Sequence, residues 1–91
     1  DLANSYKIVG DLYLNIGYPL RALPNFEEAL RIQQVMRPTD AFVLVTLYKK
    51  IGSIYSDLGE HSKALSHIEK AVEIQEQHRD QQLSDLIALY N

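Results

Sequence analysis

Apolar residues recur along the chain at spacings of three and four. Leu2, Tyr6, Val9, Tyr13 and Ile16 make one such stripe, and Ala22, Leu23, Phe26, Ala29, Leu30 and Ile32 make a second. Both have the 3.6-residue period of an amphipathic helix rather than the alternation of a strand. A third stripe runs through Leu44, Leu47, Tyr48, Ile51, Ile54, Tyr55 and Leu58, and a fourth through Ala64, Leu65, Ile68, Ala71, Val72 and Ile74. Punctuation falls between them. Gly17 and Gly59 read as helix stops, Pro19 as a start, and Arg37-Pro38-Thr39-Asp40 as a break, with Asp40 or Thr39 able to cap the next helix. Leu83, Leu86, Ile87, Leu89 and Tyr90 form a last short stripe. The pattern predicts an all-α chain of five helices near 1–17, 19–37, 40–58, 61–79 and 82–91, without strands. Pro24 removes a hydrogen bond from the second turn of its helix and predicts a bend there.

The stripes repeat. A shift of 42 residues superimposes Tyr6 on Tyr48, Lys7 on Lys49, Gly10 on Gly52, Tyr13 on Tyr55, Gly17 on Gly59 and Ala22 on Ala64. It also superimposes Leu23 on Leu65, Glu27 on Glu69, Ala29 on Ala71, Ile32 on Ile74, Gln33 on Gln75 and Arg37 on Arg79. Composition alone would give roughly two such identities over this span. Leu2, Leu44 and Leu86 keep the same register, as do Tyr6, Tyr48 and Tyr90. One domain over 1–91 therefore divides into a first repeat near 2–43 and a second near 44–85, with the start of a third repeat or a capping helix at 82–91. Gly10 and Gly52 lie inside helices, where glycine costs about 1 kcal/mol relative to alanine. That cost points to close backbone approach, with Ala22, Ala29, Ala64 and Ala71 as the facing small positions. Tyr13 and Tyr55 should pack between the two helices of their own repeats.

Tyr6…Val9-Gly10…Tyr13…Gly17…Ala22…Phe26…Ala29, and again Tyr48…Ile51-Gly52…Tyr55…Gly59…Ala64…Ile68…Ala71, resemble tetratricopeptide repeats. The 42-residue period is longer than the usual 34 of that family and is similar to that of the kinesin-light-chain-like subgroup. Lys7-Ile8 and Lys49-Lys50 stand where that subgroup has paired asparagines. The resemblance implies an α-solenoid of stacked antiparallel helix pairs winding as a right-handed superhelix. It further implies a protein–protein interaction scaffold, part of a longer repeat protein, whose concave groove holds a peptide or helix of a partner. Groove positions carried over from the family fall at Asn4, Lys7, Asp11, Leu14 and Asn15, and at Thr46, Lys49, Ser53, Ser56 and Asp57, with Lys50 adjacent. The lysine row would favour an acidic partner. Asp11 and Ser53 replace the asparagines of the family's carboxylate-clamp type, which disfavours chaperone C-terminal tails.

Composition narrows the function further. Nine basic against twelve acidic side chains give a net charge of −3, whereas nucleic-acid binders usually carry a basic excess. No apolar run approaches the ~18 residues that span a bilayer, so no membrane partner is expected. The absence of cysteine removes disulfides and thiolate chemistry, and with the lack of a signal peptide it fits a cytoplasmic setting. His61, His67 and His78 lack metal-ligand spacing and read as solvated. No serine elbow or phosphate loop is present, so neither enzyme activity nor a cofactor or metal is expected. The alternative function is structural: repeat ends that start at Leu2 and finish on the Leu83–Tyr90 stripe would associate end to end or by swapping, part of that stripe otherwise folding over the second repeat as a cap.

Overall fold

The computed structural model describes residues 1–36 and 40–90, with side chains through Leu89. The expected break at Arg37-Pro38, the Thr39 cap and the side chain of Tyr90 lie outside the described residues. Four helices form: α1 (Leu2–Asn15), α2 (Pro19–Val35), α3 (Ala41–Asp57) and α4 (His61–Tyr90). Among the described residues there is no strand. α1 packs on α2, α3 packs on α4, and α2 joins the two hairpins by packing on α3.

Local signals set the ends. Asp1 and Asp40 cap α1 and α3, the Asp40 carboxylate accepting from the N–H groups of Phe42 at 3.0 Å and Val43 at 3.4 Å. Gly17 (φ 88°) and Gly59 (φ 81°) turn left-handed at the helix ends. The following N–H groups of Tyr18 and Glu60 then reach back to the Tyr13 and Tyr55 carbonyls at 2.8 Å in both repeats. α2 starts at Pro19 and continues through Pro24, which lies on its exposed side.

Phe26, Ala22, Ala29, Leu47, Ile51 and Ile54 form the fully buried core, with Tyr13 and Tyr55 packed half-buried against it. The residues that face the helical glycines match expectation only in part: the Ala64 carbonyl lies 3.2 Å from a Cβ built on Gly52, but large side chains come closer. A Cβ on Gly10 would lie 2.8 Å from the Phe26 ring, and one on Gly52 would lie 2.8 Å from Ile68. The glycines are seats for the large side chains at equivalent positions 26 and 68, while the alanines fill the buried helix contacts beside them.

Two further expectations are corrected. Leu2, Val9 and Ile16 are exposed, as no helix among the described residues lies against that face. In α3, where α2 lies against it, the middle of that face is buried: Val9 is 40% exposed and its equivalent Ile51 is 0% exposed, and Leu12 is 57% against 1% for Ile54, while Leu58 stays exposed. The predicted fourth and fifth helices are one continuous α4. Position 80, equivalent to Pro38, is Asp, and no glycine or proline interrupts 75–90, so the helix has no reason to stop. It consequently projects: every described residue from Gln75 onward is exposed, and the Leu83–Leu89 stripe does not cover the second repeat. Thirty residues at ~1.5 Å each make a rod of about 45 Å, which dominates the 52 Å long axis of the molecule.

The two seats should respond differently to an added methyl group. Gly10→Ala presses on a ring that is fully buried, and should lose about 1–3 kcal/mol to overpacking. At Gly52 the opposing Ile68 is 36% exposed and can swing outward, leaving the tighter-than-usual 3.2 Å approach to the Ala64 carbonyl, and a propensity gain of about 1 kcal/mol offsets most of that strain. Urea denaturation of both variants should show a clear loss for Gly10→Ala and a change within about 1 kcal/mol for Gly52→Ala.

Candidate functional site

Two clefts open beside the first turns of α1 and α3. The first, of about 370 Å³, is lined by Ala3, Asn4, Lys7 and Gln33, and closed on one side by Phe42 and Val43. The second, of about 430 Å³, is lined by Val45, Thr46, Lys49 and Gln75, with Phe42, Ile74 and His78 completing the wall. Adding 42 to Ala3, Asn4, Lys7 and Gln33 gives Val45, Thr46, Lys49 and Gln75. The clefts are thus the same site made twice. Each presents an apolar wall, a small polar side chain and a lysine from one helix, and a carboxamide from the next.

Phe42 stands between them. It is 79% exposed, and its backbone N–H is held by the Asp40 cap at 3.0 Å, so a large aromatic surface is kept in water at a defined place. Gln33 is the buried polar residue of the first cleft, at 6% exposure. No side-chain polar atom among the described residues is sealed from solvent without a partner.

Asp11 organises the charge. Its carboxylate accepts from Lys7 on the same helix at 3.4 Å and makes a short contact with Lys50 across from α3. The Lys50 ammonium also sits 5.6 Å from the centroid of the buried Phe26 ring. Asp11 therefore ties α1 to α3 and is itself neutralised, with one positive charge left over from the pair of lysines. Lys49 is exposed and has no ion-pair partner among the described residues. Lys7, Lys49 and Lys50 thus stand beside three carboxylates, Asp11 and the helix caps Asp1 and Asp40 that border the clefts, and Lys49 is the lysine left outside an ion pair among the described residues.

The structure separates the groove positions read from sequence. Asn4 and Lys7 line one cleft, Thr46 and Lys49 the other. The Thr46 hydroxyl donates to the Phe42 carbonyl at 3.0 Å. Asp11 and Lys50 form the ionic tie between α1 and α3. Leu14 packs against the core. Asn15, Ser53, Ser56 and Asp57 are exposed and line neither cleft. Sequence reasoning missed Phe42, Gln33 and Gln75 as site residues. The two glutamines are identical in the 42-residue register, which was the available signal; Phe42 has no equivalent and gives itself away only by exposure. His67 is also not solvated as expected. Its ring lies between those of Tyr48 and Tyr55, with centroids 6.1 and 5.3 Å away, and Nδ1–H donates to the Lys63 carbonyl at 2.8 Å.

Among the described residues no three His, Asp or Glu side chains group to hold a metal ion, and no helix is long and apolar enough to cross a membrane. Residues 1–77 match the family described as Tetratricopeptide repeat. No curated protein and no solved structure matches the chain.

Removing the ionic tie should be felt both in stability and in charge. Asp11→Asn should cost about 0.5–1 kcal/mol, the scale of a partly exposed ion pair, read as a lowered urea midpoint with unchanged slope. The loss should shrink in high salt, because the wild-type pair is itself screened there.

Proposed function

The chain belongs to the tetratricopeptide-repeat family, and on that premise we propose that it is a protein–protein interaction module which binds an extended acidic peptide across the α1–α3 face. Members of this family generally mediate protein–protein interaction. The observation that carries the finer reading is the pair of equivalent clefts, each with its own lysine and glutamine, separated by the exposed ring of Phe42. Lys7 and Lys49 would each receive a carboxylate of the peptide, Gln33 and Gln75 would hydrogen-bond its backbone, and Phe42 would pack on the side chain between. The Lys50–Asp11 pair bridges α1 and α3, which sets the two lysine-bearing helices roughly one helix diameter apart, ~10 Å. An extended chain rises ~3.1–3.4 Å per residue, so the acidic residues of the ligand should stand three or four positions apart. The 42-residue period supports a place near the kinesin-light-chain-like subgroup, and the lysines at positions 7 and 49 mark a different ligand preference within it.

Fluorescence anisotropy with labelled peptides carrying two glutamates at spacings of one to six tests this reading. Affinity should peak at a spacing of three or four and fall as salt is raised from low to physiological strength. Lys7→Ala and Lys49→Ala should each weaken binding by about 0.5–1.5 kcal/mol, and Phe42→Ala by about 1–2 kcal/mol. Equal affinity for wild type and all three variants would move the binding surface elsewhere.

A further inference from the structure

The two clefts repeat in their lining but not in their ion pairing. Lys7 and Lys49 hold the same place in each. One helical turn later the repeats diverge: Asp11 follows Lys7, and Ser53 stands at the equivalent position after Lys49. The Lys7 ammonium lies 3.4 Å from the Asp11 carboxylate, and both side chains are partly buried. Lys50 reaches the other oxygen of that carboxylate from α3. Lys49 is exposed and forms no ion pair among the described residues. The capping aspartates do not make this difference, because each cleft borders one, Asp1 or Asp40. Both are turned to backbone N–H groups, Asp1 accepting from Asn4 at 2.7 Å and Asp40 from Phe42 at 3.0 Å.

A ligand carboxylate that approaches Lys7 has to displace Asp11 or share the ammonium with it, and Asp11 carries the ligand's own charge. Asp11 is the chain's version of the group that the ligand would bring. Fixed on the same helix, it competes at a high effective concentration, whereas a peptide competes only at its own. Lys50 adds a second hold on the Asp11 carboxylate. At Lys49 no such group stands in the way, since the Ser53 hydroxyl carries no charge.

We infer that Asp11 is a built-in competitor of the ligand, so that the second cleft, through Lys49, makes the dominant contact with an acidic peptide and the first cleft, through Lys7, a weaker one. The inference rests on the peptide reading above. It gives Asp11 two roles of opposite sign: the same carboxylate fastens α1 to α3 and holds Lys7 back from the ligand. The asymmetry of the two clefts then belongs to one pair of equivalent positions, 11 and 53, and can be moved from one repeat to the other by substitution.

Fluorescence anisotropy at low salt, with a labelled peptide carrying two glutamates three positions apart, tests this by double-mutant cycles. In the wild type, Lys49→Ala should weaken binding about fivefold and Lys7→Ala about twofold. Asp11→Asn should bind the peptide about two- to fivefold more tightly while being the less stable fold, and in its background Lys7→Ala should cost as much as Lys49→Ala. Ser53→Asp alters an exposed residue outside both clefts and should do the reverse. It should weaken binding about two- to fivefold and shrink the Lys49→Ala loss to about twofold. His78, which lines the second cleft only, is common to every variant and cancels from the cycles. Asp11→Asn binding no more tightly than wild type, or a Lys7→Ala loss that Asp11→Asn leaves unchanged, overturns the inference. A Ser53→Asp effect of the same size with and without Lys49 also overturns it, being plain like-charge repulsion. Those results leave the peptide reading standing, whereas equal affinity of wild type, Lys7→Ala, Lys49→Ala and Phe42→Ala defeats both.

Discussion

The close approach of α1 to α2 at Gly10 is the contact on which the remaining geometry rests. The Phe26 ring lies where a Cβ of residue 10 would be, so the two helices sit at a distance that no side chain at that position would allow. Once seated, the ring is completely buried under Leu47, Ile51 and Ile54 of α3. The platform made by α1 and α2 thereby determines where α3 lies. Repeat two copies the seat with Ile68 on Gly52, and there the side chain stays partly in water.

That placement of α3 creates the candidate site. It brings Lys50 within reach of Asp11 and sets the first turn of α3 beside the first turn of α1. It also puts Phe42 on the wall of both clefts. Repetition of the hairpin duplicates Asn4, Lys7 and Gln33 as Thr46, Lys49 and Gln75. The site is a consequence of stacking rather than of any one helix: Gln33 comes from α2, Lys7 from α1 and Phe42 from α3.

Stacking also explains why equivalent residues differ so much in exposure. Apolar positions of α3 that meet α2 are buried, and their equivalents on α1 meet water. On α4 the positions equivalent to Leu23 and Leu30, namely Leu65 and Val72, are likewise uncovered. A helical repeat buries its apolar faces against neighbours, and the faces that meet no neighbour among the described residues stay in water. The run of α4 past residue 80 adds a second exposed apolar segment on the same side as its uncovered first half.

Much of this was legible in the chain. The 42-residue register, the glycine stops before Tyr18 and Glu60, the Asp40 cap and the all-helical periodicity stem from local rules, because turns, caps and apolar spacing act over a few residues. Lys7 and Lys49 were visible as a recurring pair for the same reason. Tertiary structure alone decided that Gly10 receives a ring, and Gly52 an isoleucine beside the Ala64 carbonyl, since a periodic stripe does not say which of its members points straight across. It alone decided that Asp11 binds two lysines on different helices, and that Phe42 is left exposed between two clefts. The division of α4 into two helices was read from the repeat period, yet residues 75–90 contain no stop signal, and a helix continues until its own residues or a neighbour end it. Sequence determined which residues are apolar and at what spacing; stacking determined which of those faces is covered, because burial depends on having a neighbour.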